Sequence, residues 1–209
     1  MKRNVGCELR PTLFKRGVMP ILAIGLLLGG TGVAQSADGA KAAKKAPGGA
    51  AARGKYLVST SGCHDCHTPW KMGANGPEPD MTRMLSGHPQ DFAVQPLPKL
   101  DGPWISASAA TNTAWLGPWG VSFTANLTPD PETGLGKWTL RNFMDTIRTG
   151  RHQGRGRPIL PPMPIPVYNN FTDQDLGAIY AYLGTIPAIK NAVPEPLPPA
   201  GAPGAAPKQ

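Results

Sequence analysis

Apolar residues recur at helical spacing in two stretches of the chain. In the first, Leu140, Phe143, Met144 and Ile147 fall at i, i+3, i+4 and i+7. Thr139 is placed to cap the start of this helix, Gly150 to end it, and Arg148 sits in its last turn. In the second, Leu176, Ile179, Tyr180 and Leu183 form the stripe. Thr172 caps it, Asp173 and Asp175 suit the positive end of the helix dipole, and Gly184 with Pro187 ends it. A weaker helix runs from about Ala51 to Thr60, with Tyr56 and Leu57 apolar, and leads into Cys63. No run alternates as a strand. Residues 68–137 read as loop, punctuated by Gly and Pro and holding Trp70, Trp104, Trp115 and Trp119. The expectation is an all-α fold of a few helices with a long loop-rich insertion.

One apolar run has a different meaning. Val18 to Leu28 carries no charge, and Lys2, Arg3, Arg10, Lys15 and Arg16 precede it against a single acid, Glu8. Eleven residues suit the core of a secretory signal and fall short of a membrane span of about 20. Small residues at Ala34-Gln35-Ser36 offer a cleavage site, so residues 1–36 are expected to be a signal peptide and the mature chain periplasmic. The alternative is an uncleaved membrane tether.

This segment revises the composition. It accounts for +4 of the formal charge of +8 and for Cys7, one of three cysteines. Cys63 and Cys66 are left, too few for a disulfide scaffold. The basic residues do not interleave with aromatics, so a nucleic-acid partner is not expected. Gly and Pro number 26 and 25 of 209 residues, which argues against a long-helix bundle. They divide among the end of the signal, a flexible leader at 37–50, the stretch 68–137, residues 158–166 and a Pro- and Ala-rich tail at 191–209 expected to be disordered. The foldable domain is 51–190.

Cys63-His64-Asp65-Cys66-His67 is a C-x-x-C-H run, the spacing of a covalent haem attachment site. Two thiols three positions apart at a helix end can add to the two vinyl groups of one haem. The following His67 then presents an imidazole to the iron, with His64 as spacer. A thioredoxin-like pair would need a βαβ setting, and a zinc site would need a fourth ligand. The distal ligand has several candidates: Met72, Met81, Met84, Met144, Met163, His88 and His152. Met144 lies on a helix stripe that packing would use. Met163 lies among Pro158, Pro161, Pro162, Pro164 and Pro166, whose set φ angles pre-organise a loop at low entropic cost. Met163 is therefore the expected ligand, and His152 is its main rival.

The helix–CxxCH–loop–Met–helix order resembles the class I c-type cytochromes. Arg53-Gly54-Lys55-Tyr56-Leu57 is similar to that family's first helix, and Leu176 to Leu183 to its last. The segments Phe123-Thr124-Ala125-Asn126-Leu127-Thr128-Pro129-Asp130 and Thr133-Gly134-Leu135-Gly136-Lys137-Trp138-Thr139 resemble the haem domains of periplasmic dehydrogenase cytochrome subunits. The resemblance implies a cytochrome c-like fold around one haem c. It makes Cys63 and Cys66 the thioether sites, His67 the proximal ligand and Met163 the distal ligand. Pro77 would set a carbonyl against the His67 ring.

The function expected is electron transfer between periplasmic or membrane respiratory partners, such as a dehydrogenase or terminal oxidase. His/Met ligation leaves no open site, so the chain is not expected to be an enzyme. The alternatives are an electron-transfer subunit bound to a periplasmic dehydrogenase and a haem enzyme with an open sixth site. Lys137, Arg141, Arg148, Arg151, Arg155 and Arg157 face Asp145 alone between residues 137 and 157. This basic arm suits an acidic partner, haem propionates or a solvated helix face.

Overall fold

Helix α1 (Ala50–Thr60) ends at Ser61, and Gly62, at φ 73°, turns the chain straight into the one-turn helix α2 (Cys63–His67). The computed structural model describes residues 49–199. The expected signal, nearly all of the expected leader and residues 200–209 lie outside that range. No helix among the described residues is long and apolar enough to cross a membrane.

The two periodic stretches form as expected. Helix α3 (Leu140–Thr149) opens on a reciprocal capping box between Thr139 and Asn142 and stops at Gly150, φ 64°. A short helix α4 (Ile165–Tyr168) follows, then α5 (Asp173–Leu183), capped by the Thr172 hydroxyl accepting from the Asp175 N–H. Leu176, Ile179 and Leu183 of α5 join Leu57 and Val58 of α1 and Phe143 and Ile147 of α3 in one core.

Gly54 lets α1 and α5 meet. It is buried, and a Cβ there would collide with the Ala178 carbonyl. Gly54→Ala is expected to cost about 3 kcal/mol, the upper end for overpacking. A urea midpoint equal to the parent's would show that the helices do not need this close approach.

The all-α expectation is overturned. The described residues form five α-helices and two small antiparallel sheets. Strands β1 (Trp70–Gly73) and β2 (Gly76–Pro79) pair as a hairpin, with Trp70 opposite Pro79. Strands β3 (Ala107–Ser108), β4 (Ala114–Gly117) and β5 (Gly120–Phe123) form a sheet in the order β3-β4-β5. All lie in the stretch read as loop. They are two to four residues long, too short for alternation to register. Their turns set the pairing instead: Gly76 (φ 114°) and Gly120 (φ 91°) close two-residue loops after Gly73 and Gly117.

Residues 191–199, assigned from sequence to the tail, are held against this insertion. Asn191 is 1% exposed and donates to the Ser86 and His88 carbonyls, both at 2.8 Å. Leu197 exchanges two backbone hydrogen bonds of 2.9 Å with Val121 on β5. Backbone and amide groups that polar composition leaves to solvent are satisfied here by partners distant in sequence.

His88 is fully buried in the same region. Its Nε2–H donates to the Phe92 carbonyl (3.1 Å), and its Nδ1 meets the Thr113 hydroxyl at 2.9 Å. Burial holds its pKa below the ordinary value. The neutral ring therefore contributes stability that is full above about pH 6.5 and is lost as pH falls toward the lowered value. The carboxylates of Asp80 and Asp130 are held low, chiefly by the hydroxyls of Thr82 and Thr133. Their contribution is lost only below about pH 4. The urea midpoint is expected to fall already between pH 7 and pH 5. A flat profile there would refute the buried neutral His88.

Candidate functional site

The helical turn of α2 puts Cys63, Cys66 and His67 on the wall of a cavity of about 460 Å³. That is within the usual range for small-molecule and cofactor sites. Its walls are mainly apolar and include Val58, Leu176, Ile179 and Leu183 from α1 and α5, and Phe143 and Ile147 from α3. Met163 and His152 also line it, so both leading candidates for a ligand opposite His67 reach the same space.

His67 is oriented by the insertion. Its Nδ1–H donates to the Ala125 carbonyl at 2.8 Å. A carbonyl only accepts, so the proton sits on Nδ1 and the Nε2 lone pair is free to bind a metal. Burial also keeps the ring neutral, with its pKa pushed below the ordinary value. The carbonyl was expected from Pro77. That residue lies instead on the exposed strand β2, opposite Met72, and Ala125, just beyond β5, takes the role. Nothing local in sequence marks Ala125, because the two residues are 58 positions apart.

The thiols are free and half-buried. Burial pushes Cys63 up to about 11 and raises Cys66 as well. A redox-active C-x-x-C pair lowers a thiol pKa to create thiolate, so this environment speaks against thiol–disulfide exchange. Among the described residues no group of three or more His, Cys, Asp or Glu side chains is arranged to hold a metal ion. His64 turns from the cavity and meets the Thr68 hydroxyl at 2.9 Å, as a spacer would.

The other ligand candidates are placed elsewhere. Met72 is 76% and Met81 54% exposed. Met84 and Met144 pack against the core, and both ring nitrogens of His88 are engaged. Trp138 makes an edge contact with His152, ring centres 5.0 Å apart.

The donor set fits a haem. Two free thiols and an oriented imidazole face an apolar space with a thioether in its lining. Arg157 and His152 line it too, and the buried Thr124 hydroxyl there has no hydrogen-bond partner among the described residues. These groups suit the carboxylates of haem propionates. Residues 192–196 of the C-terminal segment close part of the wall, and Glu195 pairs with Arg157 at 3.2 Å.

Pairing subdivides the basic arm. Arg148 clamps the α4–α5 turn through the Asn169 and Phe171 carbonyls and Asp173, at 2.6 to 2.7 Å. Arg141 pairs with Asp145 one helical turn on, at 2.7 Å. Lys137, Arg151 and Arg155 make no ion pair among the described residues.

The chain is similar in sequence to cytochrome subunits of several dehydrogenases. It is 29% identical over 184 residues to the cytochrome c subunit of the quinone alcohol dehydrogenase of Gluconobacter oxydans, covering 87% of this chain and 30% of that one. It is 29% identical over 179 residues to the fructose dehydrogenase cytochrome subunit of Gluconobacter japonicus, covering 82% and 29%. Over 65 residues it is 37% identical to the gluconate 2-dehydrogenase cytochrome c subunit of Pantoea cypripedii, covering 31% and 14%. The chain thus spans less than a third of the length of these relatives. No family model matches it.

Proposed function

We propose that this chain is an exported, periplasmic electron-transfer protein that carries one covalent haem c and works as a cytochrome subunit with a dehydrogenase. The observation that carries the reading is the shared cavity, where two free thiols, the Nδ1-protonated His67 and Met163 line one apolar space. Similarity to cytochrome subunits of dehydrogenases over more than four-fifths of the chain favours a subunit over a free shuttle. The haem held there would supply a one-electron iron couple. The protein's own residues do the rest. Ala125 keeps the His67 lone pair on Nε2. The thiols of Cys63 and Cys66 tether the group covalently. Met163, in the lining of the same cavity, would supply the second protein ligand to the iron and deny that site to small diffusible ligands. The apolar faces of α1, α3 and α5 would exclude water and so favour the less charged state of an iron held there.

The test is isolation from the native host. A haem absorption that stays with the polypeptide after acid extraction, in a preparation that also contains a larger oxidoreductase, supports the reading. A haem-bearing chain that always purifies alone would return the free shuttle. A chain without covalent haem would overturn the proposal as a whole.

Lys137, Arg151 and Arg155 are the cations left for docking. Replacing Arg151 and Arg155 by Gln is expected to lower the partner on-rate about tenfold at low salt, with the difference vanishing at high salt. An on-rate equal to the parent's at low salt would remove this face from the docking surface.

A further inference from the structure

The Met163 loop packs on the core through Met163 and Ile165 but has few hydrogen bonds to hold it. Five prolines between 158 and 166 carry no N–H. Ile159 ties the loop's start to Gly150, and α4 follows its end, with the Ile165 N–H on the Met163 carbonyl. Between Leu160 and Pro164 one hydrogen bond reaches a distant part of the chain among the described residues. The Ser122 hydroxyl donates to the Pro161 carbonyl at 2.6 Å, across 39 positions of sequence. Ser122 is 7% exposed, on the last half of β5. Its oxygen also lies 3.5 Å from the Trp115 carbonyl, but a hydroxyl has one proton and the shorter contact takes it.

The same stretch of chain holds His67, through the Ala125 carbonyl. Ser122 and Ala125 are three residues apart, about 10 Å of extended chain. We propose that Ser122 is a positioning residue that sets the Met163 loop against His67, so that residues 122–125 act as one strut for both sides of the cavity. The proposal rests on the reading of Met163 as the distal ligand. Without the hydroxyl, the Pro161 carbonyl is left without its partner and residues 160–164 lose the one long-range hydrogen bond they have among the described residues. A thioether bound to iron would then be displaced more readily, while the core formed by α1, α3 and α5 would keep its contacts.

The experiment titrates imidazole into the haem-loaded ferric protein and follows the weak red band that a Met–iron bond produces. Ser122→Ala, Ser122→Thr and Met163→Ala are compared with the parent, each with its urea midpoint. Imidazole must displace the thioether, so Ser122→Ala is expected to bind it about tenfold more tightly, matching the loss of one hydrogen bond. Ser122→Thr keeps a hydroxyl and should return to the parent's affinity. Met163→Ala should lack the band and bind imidazole most tightly. If Met163→Ala behaves so while Ser122→Ala matches the parent, the positioning role is overturned alone. A lowered urea midpoint in Ser122→Ala with unchanged imidazole affinity overturns it equally, as a merely structural effect. If Met163→Ala keeps the band, the ligand reading itself fails.

Discussion

Replacing both Cys63 and Cys66 by Ala is expected to leave a polypeptide from which all haem is extracted by acid, where the parent retains it. The thiols sit on one turn of α2, half-buried at the cavity wall, and are not joined to each other. On the proposed reading, covalent retention would depend on these two sulfurs. The consequence reaches stability, because the cavity of about 460 Å³ lies among core side chains of α1, α3 and α5. Anything that binds the folded state alone stabilises it, by about 4 kcal/mol at a thousand times its dissociation constant. The double variant should unfold at much lower urea. Single variants should keep one bond and most of the stability. A double variant that still carries acid-stable haem would move the attachment elsewhere.

Met163→Ala is expected to abolish the red band, open the ferrous protein to carbon monoxide and shift the midpoint potential by on the order of 100 mV or more. Thioether ligation favours the reduced state, so the shift is downward. His152 also lines the cavity and could take the vacated position. In that case the potential still falls but carbon monoxide does not bind, and adding His152→Ala restores binding. In the parent background His152→Ala should leave the band intact. A parent that lacks the band, and that binds carbon monoxide only once His152→Ala is introduced, would exchange the roles of the two residues.

Much of this site is legible in the sequence because the relevant signals are local. The C-x-x-C-H spacing fits within one helical turn, and the caps at Thr139 and Thr172 and the stop at Gly150 are read from neighbouring residues. Gly54 belongs with them only in part: its place in a helix is readable, its role against Ala178 is not. Strands β1 to β5 escape because alternation needs more residues than they have. Asn75-Gly76 was the available hairpin signal, set in a stretch whose many breakers mask it. The basic arm looked uniform because pairing with Asp173 and Glu195 is invisible in a count of charges.

The sequence by itself determined the chemistry: which residues carry sulfur and imidazole, at what spacing, and where helices α1, α3 and α5 begin and end. Those properties arise from contacts within one or two turns of chain. Only the tertiary structure decided which carbonyl orients His67, which hydroxyl holds the Met163 loop, and that Asn191 and Leu197 bond to residues 86–88 and to β5 rather than to solvent. Each of these is a hydrogen bond between groups tens of residues apart. A backbone carbonyl is present at every position, so no residue type announces which one will be used. That choice is made when the insertion folds against the helices and each buried polar group must find its partner.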